Sequence, residues 1–119
     1  MTQEEKFLLL QELCARLPYG VIVQDRNGVH ELSVGNTEFT DLFGGKCNIK
    51  PYLRPLSSMT EVEKMDFNEI QRYNVFYSSK GHYTEVDFLN AHHFDYRGLI
   101  PKGIAIEVTE ENNPYRECL

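Results

Sequence analysis

Gly20-Val21-Ile22-Val23-Gln24-Asp25-Arg26-Asn27-Gly28-Val29-His30-Glu31-Leu32-Ser33-Val34 is the stretch on which the fold turns. Val21 to Gln24 is β-branched and apolar, which suits a strand, and Val29, Leu32 and Val34 suit a second one. Between them, Asn27-Gly28 tolerates the positive φ angles of a tight hairpin turn. Two strands this close in sequence must run antiparallel, because a parallel connection needs a crossover of a dozen residues or more.

Before the hairpin, Thr2 and Glu5 form an S/T-x-x-E capping box, and Phe7, Leu10, Leu13, Cys14 and Leu17 recur at helical spacing. The spacing predicts a helix over Gln3 to Arg16, ended by Pro18, with Cys14 as a small buried apolar group. After the hairpin, Gly35-Asn36 offers a turn and Thr37 to Phe43 a third strand closed by Gly44-Gly45. The segment Ile49 to Met59 carries Pro51 and Pro55, which argue for an extended connector rather than a strand.

Thr60 and Glu63 repeat the capping box and open a second helix, with Val62, Met65, Phe67, Ile70 and Tyr73 as its apolar face and Glu61, Glu63, Lys64, Asp66 and Glu69 turned mostly outward. Asn74 to Tyr83 reads as an irregular connector, and Thr84 as the cap of a third helix over Glu85 to His93 that places Phe88 and Leu89 on the core. Gly98, Pro101 and Gly103 precede a last strand, Ile104 to Val108. The order predicts one α+β domain over residues 1–108, a small antiparallel sheet of the hairpin and one or two further strands packed on about three helices. Residues 109–119 are expected to be a flexible tail.

With 119 residues the chain is long enough to bury a core without disulfides or metal. Its three cysteines form no C-x-x-C pair, no segment approaches the roughly 20 apolar residues needed to cross a bilayer, and the N-terminal residues lack the pattern of a secretory signal. A cytoplasmic protein without membrane contact is the expectation. A formal charge of −6 disfavours phosphate-driven binding to nucleic acid.

The densest reactive side chains lie in Asn90-Ala91-His92-His93-Phe94-Asp95-Tyr96-Arg97-Gly98. Adjacent histidines on a helix point about 100° apart and cannot chelate one ion from a single face, so no metal site is expected. His92 or His93 could serve as a general base oriented by Asp95, with Arg97 clamping an anion, as in a small hydrolase-like enzyme. The structural alternative makes one histidine a helix C-terminal group and Asp95 with Arg97 a local ion pair. No phosphate loop, dinucleotide fingerprint or nucleophile elbow is present, and no cofactor is expected.

Ile49 to Thr60, Phe88 to Ile100 and Leu13 to Val21 are similar to segments of small uncharacterised proteins of gut anaerobic bacteria and their phages. The resemblance implies a mobile-element setting and carries no activity, cofactor or catalytic residue. Together these readings favour a non-enzymatic interaction or regulatory module. It would hold a protein partner, a second copy of the chain included, through Tyr52, Tyr96 and Arg97. A hydrolase-like enzyme and an acidic mimic of nucleic acid are the alternatives.

Overall fold

Helix α1, Gln3–Arg16, begins at the expected box: the Thr2 side chain accepts from the Glu5 amide at 3.1 Å, and Glu5 accepts from the Thr2 amide at 2.8 Å. The computed structural model describes residues 2–25, 28–33, 49–73 and 85–115; the expected strand at 37–43, the connector at 74–83 and the Thr84 cap lie outside the described residues. The face α1 buries only overlaps the one its apolar spacing predicts: Leu13 is buried and Leu10 and Leu17 pack half-buried against the same core, as expected, but the fully buried stripe lies to one side. Leu9, Glu12, Leu13 and Arg16 point inward, whereas Phe7 is exposed and Cys14 is exposed rather than buried. The inward stripe is turned by roughly a third of a circle at about 100° per residue. Two charged residues pair within it, and apolar periodicity cannot register them.

Pro18 sits in a 3-10 turn, Leu17–Tyr19, closed by Gly20 at φ 72. The antiparallel hairpin follows, β1 (Ile22–Asp25) paired with β2 (Gly28–Glu31) and Val23 opposite His30; β2 ends before Leu32, and Asn27 of the expected turn and Val34 lie outside the described residues. Lys50–Pro55 is not a connector but strand β3, and it is central: β1 pairs with it antiparallel, while β4 (Phe94–Asp95) and β5 (Ile106–Glu107) pair with it parallel. The prolines are tolerated for a specific reason. Every second pair of an antiparallel ladder exchanges no hydrogen bonds, and buried Pro51, opposite Val23, takes such a place; Pro55 is the last residue of its strand.

The sheet is therefore mixed rather than wholly antiparallel. The return from β3 to β4 passes through α2 (Glu61–Tyr73) and α3 (Glu85–Ala91), a crossover long enough for parallel pairing. On α2, Phe67 and Ile70 pack inward, but Val62 and Met65 stand out in solvent and Glu63 turns in, the reverse of the expected arrangement; the Tyr73 side chain is outside the described set. The last strand is shorter than expected, although Ile104, Ala105 and Val108 around it are buried.

Two main apolar groups result. Leu9 and Leu13 of α1 pack with Val21, Val23, Leu32, Ile49, Leu53, Leu99 and Ile104. Phe88, Leu89 and Phe94 pack with Met59, Phe67, Ile70 and Tyr96. Among the described residues no helix is long and apolar enough to cross a membrane.

Candidate functional site

The segment at 90–97 lies where both apolar groups meet, because α3 stops at Ala91 and the chain turns sharply into β4. His93 makes that turn in the left-handed region, φ 64, with its amide donating to the Asn90 carbonyl at 3.1 Å. A non-glycine residue there costs on the order of 1 kcal/mol, so the surrounding contacts must hold it. They do: the His93 carbonyl accepts from the Arg54 amide at 2.7 Å, locking the turn onto β3.

The two histidines have separate surroundings. The His92 ring lies 4.3 Å from that of Phe88, and its Nδ1 is 3.2 Å from Glu63 Oε2. Glu63 in turn takes a two-pronged bond from the Arg54 guanidinium, at 2.8 and 2.7 Å, and caps α2 through the Thr60 amide at 2.9 Å. Burial raises the Glu63 pKa, but the Arg54 guanidinium and the Thr60 amide outweigh it and hold the carboxyl at about 2. Arg54 also lies 4.2 Å over the Phe94 ring.

His93 instead stacks flat on Tyr115, ring centres 3.7 Å apart and planes 8° from parallel. Its Nδ1 is buried without a hydrogen-bond partner. Burial first, then the neighbouring Arg16, His92 and Arg54 charges, lowers its pKa to about 4, so the ring is neutral at physiological pH.

Asp95 does not join either histidine. Its carboxylate oxygens accept from the Leu99 and Ile100 amides, each at 2.9 Å, which folds the turn after β4. The proposed His/Asp pair is thus not assembled; the carboxylate beside His92 is Glu63, which sequence reasoning had turned outward. Arg97 does not pair with Asp95 either. Its Nε lies 2.6 Å from Glu12, which also holds Arg16 at 3.1 Å, so one buried carboxylate serves two guanidiniums. Arg16 reaches on to the Phe94 carbonyl at 2.7 Å, and the Tyr96 ring lies under both arginines, 5.1 Å from Arg16 and 5.7 Å from Arg97.

Of the expected binding residues, Tyr52 is 5% exposed and belongs to the core, Tyr96 is half-buried with its hydroxyl on Asn90 at 2.8 Å, and the Arg97 side chain is 53% exposed. Sequence reasoning missed Glu12, Arg16, Glu63 and Tyr115. The i, i+4 spacing of Glu12 and Arg16 is a readable pair, whereas Tyr115 has no local signal.

The exposed apolar residues lie elsewhere. Val62 and Met65, 69% and 70% exposed, are neighbours one helical turn apart on the outer side of α2, with Glu61, Asp66 and Glu69 exposed around them. Among the described residues no three His, Cys, Asp or Glu side chains are grouped to hold a metal ion. Compared with family models, curated proteins and solved structures, the chain matches none of them.

Proposed function

We propose that this chain is a cytosolic protein-binding module, and that the outer face of α2 is where its partner sits. The observation that carries the reading is the exposure of Val62 and Met65 side by side on a helix whose inner face is already packed by Phe67 and Ile70. One exposed apolar residue is ordinary, but two large ones adjoining on a rigid helix offer a contact ridge, and methionine adapts readily to an apolar cleft.

The charge around the ridge specifies the partner. Glu61, Asp66 and Glu69 flank it, against the exposed cations Lys64, which pairs with Glu61 at 3.4 Å, and Arg72, so the helix surface is acidic on balance in a chain of net charge −6, and the fitting surface is an apolar cleft with lysine or arginine at its edge. The resemblance to proteins of gut anaerobes and their phages makes a component of a host or phage assembly the partner class to test. The enzymatic alternative loses support because the Asp95 carboxylate is engaged by backbone amides.

Immobilised protein should retain a partner from host lysate that a Val62→Ser, Met65→Ser double variant does not, and the retained fraction should fall with added salt. Both substitutions are on the surface, so folding stability should change by no more than about 0.5 kcal/mol each. Equal retention by the folded double variant removes α2 as the contact face; loss on Arg97→Ala alone moves it to the turn after β4.

A further inference from the structure

Helix α1 carries a second apolar row beside the stripe it buries. Phe7, Leu10, Cys14 and Leu17 recur at alternating three- and four-residue intervals, the spacing of a helix that meets another helix along one line. Phe7 is 61% exposed and Cys14 is exposed, while half-buried Leu10 and Leu17 run along the edge of the row. From Phe7 to Pro18 the charged residues are Glu12 and Arg16, and both are buried in their mutual pair. Arg97 meets Glu12 on the far side, about 160° around the helix from Cys14. About three turns of helix thus present no charge outward, in a chain with 25% charged residues. Depletion of charge is the compositional mark of an interface core.

We propose that the outward face of α1 is where two copies of this chain meet, as a weak two-fold dimer with the helices antiparallel. Charge selects the occupant. Each copy carries −6, so two copies approach most readily where neither presents acid. The exposed Val62 and Met65 ridge fails that condition, being flanked by Glu61, Asp66 and Glu69, whereas the α1 row meets it.

The sequence of the row also suits itself. A two-fold axis level with Glu12 sets Phe7 on Leu17 of the second copy and Leu10 on the small Cys14, the pairing of an antiparallel coiled coil. Parallel helices would stack Glu4 on Glu4 and Lys6 on Lys6; antiparallel ones bring Gly20 and Pro18 opposite them and oppose the helix dipoles. The 14 residues of α1 span about 21 Å, too little contact for a permanent dimer, so the association is weak and depends on concentration.

Sedimentation equilibrium of the full chain, with thiols kept reduced, tests this. From micromolar to millimolar concentration the mean mass should climb from one copy toward two. Added salt should strengthen the association by screening the repulsion between like-charged copies, opposite to its effect on a basic partner at α2. Phe7→Glu should weaken it at least about tenfold, and the Val62→Ser, Met65→Ser variant should leave it unchanged. Cys14→Lys, a second exposed substitution on the row, decides should Phe7→Glu not fold. A mass of one copy throughout, an association weakened by salt, or one undiminished in the folded row variant would overturn the proposal. So would an association lost in the α2 double variant, which would move the second copy to that ridge.

Discussion

Glu12 is 2% exposed, and a carboxylate taken so far out of water is tolerated only because Arg16 and Arg97 approach its two oxygens from α1 and from the turn after β4. The wholly buried Arg16 depends on it equally. Glu12→Gln should therefore cost about 3–5 kcal/mol in urea unfolding, the scale of breaking a buried pair. Arg97→Ala, which removes a half-exposed partner, should cost about 1 kcal/mol or less. His93 offers a second measurement at this scale. Its pKa lies near 4 in the folded chain against 6.5 unfolded, so its contribution is complete above pH 6.5 and declines as pH falls from there to about 4, where the unfolded chain binds a proton that the folded chain refuses. His93→Asn, which tolerates the same left-handed backbone, should remove that part of the decline when the two stability–pH curves are subtracted.

Strand β3 and helix α2 are joined by the Arg54–Glu63 clamp as much as by apolar contact. Glu63→Gln should cost about 1–3 kcal/mol at neutral pH, as expected for hydrogen bonds to a charged group. The Glu63 carboxyl is held near 2 against 4.5, so its contribution is present above pH 4.5 and lost as pH falls toward 2; the variant should lack that loss. Elements whose signals are local were legible in advance: both capping boxes, the antiparallel pairing of β1 with β2 and the burial of Phe88 and Leu89. The strand at Lys50–Pro55 was not, because a proline's fitness for a ladder depends on which partner stands opposite it, and that is a tertiary fact. On α1 and α2 the inward positions of Leu13, Phe67 and Ile70 were legible, and the rest of each inward face was misread for one shared reason. Each turns a glutamate inward, Glu12 buried and Glu63 half-buried, whose arginine partner makes it acceptable there, and hydropathy counts the glutamate without the partner. The candidate site suffered likewise: His92, His93, Asp95 and Arg97 adjoin in sequence, yet their partners are Glu63, Tyr115, two backbone amides and Glu12, all but the amides distant along the chain.

Across the molecule, the two main apolar groups are tied by polar bonds as well as by packing. Arg16 of α1 holds the Phe94 carbonyl, and the Tyr19 hydroxyl donates to Asp87 of α3 at 2.9 Å. Both groups should thus unfold together. Far-UV circular dichroism, which follows the helices, and near-UV signal, which in a chain without tryptophan reports mainly tyrosine, should give coincident urea transitions. Separate midpoints would mean that the group around Phe88 and Phe94 opens by itself. The Tyr115 hydroxyl, which accepts from the Ile22 amide at 3.0 Å and donates to the Tyr52 carbonyl at 2.7 Å and so bridges β1 to β3, also bears on how the molecule is made. The rung between β1 and β3 joins residue 22 to residue 115, a separation of 93 residues, and such distant closures are slow. While the chain is being translated, the hairpin can form early, but the seam beside it stays open until the codon for Tyr115 has been read and that residue has left the ribosome.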